Sequence, residues 1–232
     1  DIINSTDGGG GSVNVLLNDG DGDFGSQIQT VVGGSPKDVS AGYINGDEYL
    51  DLLVSTGGSN VTILLGDGDG TFQAPQTVAV GAGSIWSDLA DIDQDGNLDI
   101  VAVSRTEDLV YVRTGNGDGS FDAAVTYATP NTIGEEVGIA DVNHDGYPDV
   151  FVGGFGWDGI EVFLNDGNGA LVSNGEIIDD ISGGPFDIAF GDFDGDGNVD
   201  LAGGEDGASD DLAVVCYGDG NGNFTAGTQY VA

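Results

Sequence analysis

Residues 90–104 read ADIDQDGNLDIVAVS. The first ten place Asp at 91, 93, 95 and 99 with Gly at 96, and an apolar run follows at once. The same block recurs as GYINGDEYLD (42–51), ADVNHDGYPD (140–149) and GDFDGDGNVD (191–200). Its closing residues, Asp51, Asp99, Asp149 and Asp200, stand 48, 50 and 51 apart. A second block alternates with it: VLLNDGDGDF (15–24), ILLGDGDGTF (63–72), VRTGNGDGSF (112–121), VFLNDGNGAL (162–171) and VCYGDGNGNF (215–224). Two motifs returning at a step of about fifty residues mark a repeat architecture.

Between the motifs run short apolar stretches such as LDLLVS (50–55), LDIVAVS (98–104), PDVFVGG (148–154) and VDLAGG (199–204). They are rich in Val, Ile, Leu and Phe and bounded by Gly, Asp and Asn, which reads as strands joined by tight turns. No stretch keeps a helical period for three turns, so almost no helix is expected. Each unit holds four strands, here A to D. Strand A leads into the first motif, B leaves it, C runs into the second motif and D leaves that. Four antiparallel strands per repeat of this length predict an all-β fold, a β-propeller built of blades. Strand C carries apolar residues on both faces, as at Val15, Leu16 and Leu17, because neighbouring blades cover both sides.

Asp1-Ile2-Ile3 aligns with Asp51-Leu52-Leu53, and Val231-Ala232 aligns with Val31-Val32. The reading is therefore five blades of four antiparallel strands in one domain, 1–232, with the innermost strand of the N-terminal blade missing, or a fragment of a larger ring. The blades fall near 1–32 (partial), 33–80, 81–129, 130–180 and 181–232. A missing inner strand leaves a bare edge on strand B of the first blade. Self-association or a larger parent chain is expected to cover that edge.

The chain has 232 residues, 3 Lys+Arg against 41 Asp+Glu and a formal net charge of −38. With 39% hydrophobic residues, 10 Phe, 7 Tyr and 2 Trp it is too apolar for a disordered acidic tail. The charge argues against nucleic acid, whose phosphates need Lys and Arg, and against anionic membrane surfaces. No apolar run approaches the roughly 18 residues that span a bilayer, so no membrane insertion is expected. The absence of an initial Met and of a visible leader reads as a mature or trimmed product.

The spacing D-x-D/N-x-D-G-x-x-D suits Ca²⁺, a hard cation that takes 6–8 oxygens at roughly 2.3–2.6 Å. Alternate carboxylates in a curled loop converge, Gly at position 6 permits the turn, position 7 offers a carbonyl and position 9 closes the cage. Three loops match fully. They are Asp91, Asp93, Asp95, Asn97 and Asp99; Asp141, Asn143, Asp145, Tyr147 and Asp149; and Asp192, Asp194, Asp196, Asn198 and Asp200. The loop at 43–51 keeps Asn45, Asp47, Tyr49 and Asp51, but Tyr43 replaces the first Asp and Glu48 replaces Gly, which predicts weak or no binding. An EF-hand would need Glu at position 12 and flanking helices. Position 12 is instead Ala102, Val152 or Gly203, inside a strand. Mg²⁺ prefers fewer carboxylates, and Zn²⁺ would need the His and Cys that are nearly absent.

These stretches, together with ILLGDGDGTFQAPQTVAVG (63–81), resemble the FG-GAP/VCBS-type repeat, the calcium-loop blade also seen in integrin α-subunit heads. The resemblance covers essentially the whole chain. It implies a propeller with Ca²⁺ in the A–B loops, secreted or at the cell surface, with an extracellular protein or glycan ligand in adhesion or scaffolding. The resulting expectation is a non-enzymatic recognition module. The alternatives are a lectin-like propeller and a catalytic or accessory propeller of a polysaccharide-degrading enzyme.

Other features are read as structural. The second motif makes a tight C–D hairpin, with Gly and Asn/Asp supplying positive φ. Gly20, Gly22 and Gly25 satisfy G-x-G-x-x-G, but a strand follows where a dinucleotide site needs a helix. His144, the only His, sits at position 4 of an acidic loop and lacks the partners of a catalytic triad. Cys216, on a strand C, reads as a small buried hydrophobe. Trp86 opens a strand A near the channel mouth, and Trp157 lies in a B–C turn; both are candidates for sugar stacking.

Overall fold

Each repeat folds into one antiparallel sheet whose strands lie in chain order. The computed structural model describes residues 1–6, 10–129, 134–154, 159–178, 185–205, 212–225 and 227–231. Among these there are 19 strands and no helix. The first sheet has three strands: β1 (Ile2–Thr6), β2 (Ser12–Leu16) and β3 (Ile28–Val31). The second has four: β4 (Asp38–Gly42), β5 (Asp51–Ser55), β6 (Asn60–Leu64) and β7 (Gln76–Ala79). The third comprises β8 (Ser84–Ala90), β9 (Asp99–Ser104), β10 (Leu109–Arg113) and β11 (Val125–Ala128). The fourth comprises β12 (Gly134–Ala140), β13 (Asp149–Gly154), β14 (Ile160–Asn165) and β15 (Leu171–Ile178). The fifth comprises β16 (Pro185–Gly191), β17 (Asp200–Glu205), β18 (Leu212–Cys216) and β19 (Thr228–Val231). This is the five-bladed all-β propeller architecture that the repeat predicts, with three strands in the first blade.

Burial follows position in the blade. Every residue of β5 and β9 is buried, because both faces of these strands meet a neighbouring blade. The outer strands β7 and β11 are mostly exposed. Four apolar cores lie between successive blades. Val13, Leu52, Val54 and Leu64 join the first pair, and Leu53, Val61, Ile63 and Ile100 the second. Val101, Val110, Val152 and Phe163 join the third pair. Phe151, Val162, Leu201 and Cys216 join the fourth, where Phe151 also lies 4.8 Å from the Phe190 ring. Cys216 is thus a buried core residue. Each fully buried side chain of this kind contributes roughly 1.5–3 kcal/mol.

The inner strands β4, β8, β12 and β16 pack on one another in succession. They line a cavity of about 260 Å³. β8, β12 and β16 each shift register once against their partner, whereas β4 pairs with β5 without a shift. Such bulges bend a strand and increase its twist.

The second motif is a turn in every blade. Asn18–Phe24, Gly66–Phe72, Gly115–Phe121 and Gly218–Phe224 form isolated antiparallel bridges that close it in four blades, and in the fourth blade Asn165 pairs with Leu171 at the end of the β14–β15 ladder. Within the turn, Asp19 N–H donates to the Asp23 carbonyl at 3.1 Å and Asp67 N–H to the Thr71 carbonyl at 3.0 Å. No helix among the described residues is long and apolar enough to cross a membrane.

Candidate metal centre

The acidic loops are built around their closing Asp, which opens strand B and is fully buried at Asp51, Asp99, Asp149 and Asp200. Its Oδ2 accepts the backbone N–H of loop position 2: Ile44 at 2.8 Å, Ile92 at 2.8 Å, Val142 at 3.1 Å and Phe193 at 2.8 Å. Its Oδ1 accepts the N–H that starts the C–D hairpin: Gly66, Gly115 and Asn165 at 2.8 Å and Gly218 at 2.9 Å. One carboxylate therefore ties the two motifs together.

The first Asp braces the turn. Asp91, Asp141 and Asp192 Oδ2 accept N–H from Gly96, Gly146 and Gly197 at 3.0, 3.0 and 3.1 Å. These three glycines have φ of 92°, 88° and 92°. The chain also turns left-handed at position 4, through Gly46, Gln94, His144 and Gly195. Gln94 and His144 hold φ of 58° and 59°, a region that costs a side-chain-bearing residue roughly 1–2 kcal/mol. The 43–51 loop takes its turn through Gly46 alone, and Glu48 has no positive φ.

Carboxylate oxygens of Asp91, Asp93 and Asp99 lie within 4.8 Å of one another, as do those of Asp192, Asp194 and Asp200. Oxygens on opposite sides of one Ca²⁺ stand about 4.6–5.2 Å apart, so both clusters fit a single hard cation. In the loop at 141–149, Asn143 contributes a carboxamide instead of a third acid. Asp91 Oδ1 and Asp141 Oδ1 are buried and receive no hydrogen bond from any described residue. Burial, with the charges of Asp93 and Asp91, pushes the Asp99 carboxyl up to about 6 against the pull of its two N–H donors. Burial does the same to Asp149, also to about 6, with Asp145 and Asp141 adding to it. A bound cation would oppose this by favouring the ionised forms.

Position 5 stands outside these clusters. Asp95, Asp145, Asp196 and Asp47 Oδ1 accept the position-7 N–H of Asn97, Tyr147, Asn198 and Tyr49 at 2.8, 2.9, 2.8 and 2.8 Å. Asp95 Oδ2 also accepts Asn97 Nδ2 at 3.0 Å, and Asp196 Oδ2 accepts Asn198 Nδ2 at 2.8 Å. Position 3 closes an Asx turn onto position 5: Asn45 Oδ1 accepts Asp47 N–H at 3.1 Å, and Asn143 Oδ1 accepts Asp145 N–H at 3.0 Å.

Sequence reading missed the partner of these loops. The position-7 side chain occupies the space that a side chain would need at the glycine two residues into the hairpin of its own blade. The pairs are Tyr49 with Gly68, Asn97 with Gly117, Tyr147 with Gly167 and Asn198 with Gly220. The next hairpin glycine faces the preceding blade: Gly119 meets Leu65 and Asn45, Gly169 meets Asp93 and Gly222 meets Leu164. The hairpin is thus wedged between two acidic loops. The near-constant separation of the two motifs was the available signal.

The FG-GAP-like repeat pattern matches residues 43–102, 91–152 and 141–203. The chain belongs to the FG-GAP-like repeat family. Among solved structures it is similar to an Agrocybe aegerita lectin described for specific recognition of non-reducing terminal N-acetylglucosamine. The two are 24% identical with a TM-score of 0.63, over 99% of this chain and 65% of the lectin chain; that likeness shows the fold. A weaker similarity, 14% identity and a TM-score of 0.34 over 97% of this chain and 13% of the other, is to the Photorhabdus luminescens Tc holotoxin pore and carries no argument. No curated protein matches the chain at a significant level.

Outside the loops, the central cavity is lined by Asp38, Asp88 and Glu136 together with Trp86 and Phe190. Trp157 lies outside the described residues. Arg113 is structural: its Nε donates to the Ala79 carbonyl of the preceding blade at 2.5 Å and Nη1 to the Asp122 carbonyl at 2.6 Å. Glu161 on β14 is buried; Oε1 accepts Ser173 Oγ at 3.0 Å, and Oε2 receives no hydrogen bond among the described residues. Burial raises its carboxyl above the usual range.

Proposed function

We propose that this propeller is a non-catalytic recognition module, stabilised by Ca²⁺ in its A–B loops and working outside the cell, secreted or at the cell surface. The observation that carries the calcium reading is the pair of buried, undonated oxygens, Asp91 Oδ1 and Asp141 Oδ1, beside further loop oxygens. A buried acceptor with no partner costs about 1–3 kcal/mol, and a cation removes that cost. Asp91, Asp93 and Asp99 would hold one ion and Asp192, Asp194 and Asp200 another. Asp141, Asn143 and Asp149 would hold a third. When bound, the ion supplies positive charge that neutralises the clustered carboxylates. The extracellular assignment rests on the FG-GAP-like repeat and its resemblance to the calcium-loop blades of integrin α-subunit heads.

Thermal unfolding in excess EGTA and in millimolar Ca²⁺ tests this reading. A ligand at 100 times its Kd adds about 2.7 kcal/mol per site, so a clear rise in midpoint is expected. An unchanged midpoint overturns the calcium assignment.

The ligand is an extracellular protein or a glycan. The glycan reading is favoured by the central cavity, where the Trp86 and Phe190 rings and three carboxylates provide stacking surfaces and hydroxyl acceptors. The lectin neighbour's recognition of terminal N-acetylglucosamine makes that sugar the first to try. A glycan array in Ca²⁺, repeated with Trp86→Ala, is expected to show binding that the substitution weakens. Binding to protein ligands alone would favour adhesion, and cleavage of an arrayed oligosaccharide would favour the enzyme alternative.

A further inference from the structure

We infer that the central cavity holds its ligand through a protonated amine, so that the sugar it favours is an amino sugar whose nitrogen is free and not acetylated; the sugar part of this inference rests on the glycan reading of the cavity. Four successive inner strands frame the space. They contribute Asp38 from β4, Trp86 and Asp88 from β8, Glu136 from β12 and Phe190 from β16. Three carboxylates and two aromatic rings thus line about 260 Å³, and no Lys, Arg or His is among the lining residues.

Both kinds of group select the same charge. Carboxylates in a cleft with low-dielectric walls attract cations and repel anions. The face of an aromatic ring attracts a cation through its quadrupole, and indole does so most strongly. The serine hydroxyls of the wall are engaged: Ser40 Oγ donates to the Ser87 carbonyl at 3.3 Å, and Ser87 Oγ shares a hydrogen bond with Ser55 Oγ at 2.6 Å. Asp88 spends Oδ1 on the Leu89 N–H at 2.8 Å, so Oδ2 can serve a ligand. Glu136 is 6% exposed and makes an interaction of its own, yet its Oε2 is a buried acceptor to which no described residue donates. An ammonium group brings three donors and no acceptor, which matches a wall rich in acceptors.

The fold holds these groups in place. β8 shifts register between Ser84 and Ser87 and β12 between Gly134 and Glu136, so the two bulges fall on Trp86 and Glu136. A bulge re-aims the side chain it carries. Phe190 is fixed by the Phe151 ring at 4.8 Å, and a side-chain carbon at Gly138 would stand 2.7 Å from it. A bare metal ion is a poorer occupant. Among the described residues, three carboxylates with oxygens within 4.8 Å of one another occur in the acidic loops and not here. The volume is just under the roughly 300 Å³ at which ligand pockets begin, room for one sugar ring or a short amine.

Calorimetric titration of the chain in millimolar Ca²⁺ with glucosamine, N-acetylglucosamine and 1,4-diaminobutane tests the inference. Glucosamine is expected to bind about tenfold more tightly than N-acetylglucosamine. Asp88→Asn and Glu136→Gln keep the side-chain shape and each remove one charge; each should weaken glucosamine about fivefold and leave N-acetylglucosamine unchanged. Trp86→Ala should weaken both sugars. Equal or tighter binding of N-acetylglucosamine overturns the inference and leaves the glycan reading standing. Binding of the diamine alone, weakened by Glu136→Gln, supports the amine site and overturns its sugar part. Binding that neither charge-removing variant changes, when their thermal midpoints match the parent, places the ligand elsewhere and overturns the inference. So does a chain that takes none of the three probes, and the glycan array then decides the glycan reading separately.

Discussion

The loops at 43–51 and 91–99 have the same skeleton and different contents. Asp51 and Asp99 are both fully buried, and each accepts the position-2 N–H of its loop and one N–H from its hairpin, Asp51 Oδ2 taking Asn45 N–H at 3.2 Å as well. Asp47 and Asp95 cap position 7 in the same way. The second loop adds Asp91, with one oxygen bonded to Gly96 and the other buried without a donor. The first has Tyr43 there, 55% exposed and turned to solvent. The comparison separates two jobs that the motif merges. Positions 5 and 9 hold the blade together, while position 1 adds a buried oxygen that no described residue donates to.

The largest effect should come from the shared part. Asp51→Ala and Asp99→Ala each strand two N–H groups at a buried site, which costs roughly 2–6 kcal/mol at about 1–3 per unsatisfied group. Denaturant unfolding should show similar losses for both in EGTA; a loss at Asp99 alone would break the comparison.

The next effect distinguishes the loops. Asp91→Ala should remove one site's share of the Ca²⁺-dependent stabilisation, about 2–3 kcal/mol near saturation, while Tyr43→Ala leaves that dependence unchanged. The double substitution Tyr43→Asp with Glu48→Gly should instead add a Ca²⁺-dependent increment, read as a larger midpoint difference between EGTA and Ca²⁺.

A smaller effect belongs to the strands behind the loops. Thr62 pairs with Val54 and Glu161 with Val152 at equivalent places, and both are buried. Burial raises the Glu161 carboxyl in the folded chain above its unfolded value. The penalty is therefore absent at low pH, where both states are protonated. It grows as pH rises past the unfolded value and is complete above the folded one. Glu161→Gln should stabilise the fold at pH 7 and give no gain at low pH, where the carboxyl is protonated in both states. A gain that persists at low pH would show that charge is not its source.

The smallest effect concerns position 4. Gly46→Ala should cost about 1 kcal/mol, because φ is 71° and the added carbon would stand 3.2 Å from the Gly117 carbonyl oxygen. Gln94→Gly should gain about 0.5 kcal/mol, reduced by loss of the Gln94 hydrogen bond to the Gly146 carbonyl.

Much of this was legible in the chain itself. The two motifs located the A–B loops and C–D hairpins, and the apolar alternation located the strands between them. Position 6 was read as the turn glycine because its composition advertises it. The left-handed turn at position 4 was hidden, since Gln94 and His144 are residues that rarely adopt it. The burial of Glu161 was hidden as well, because a single acid within an apolar run gives no sign of which blade will cover it.

The sequence by itself determined the repeat unit, the order of its strands and the acidic residues of each loop. Those follow from turn chemistry and side-chain alternation, which act over a few neighbouring residues. Only the tertiary structure decided that one closing Asp bridges both motifs and that Asp91 and Asp141 each keep a buried oxygen without a donor among the described residues. Those depend on segments far apart in the chain, and on neighbouring blades, which only packing brings into contact and removes from water.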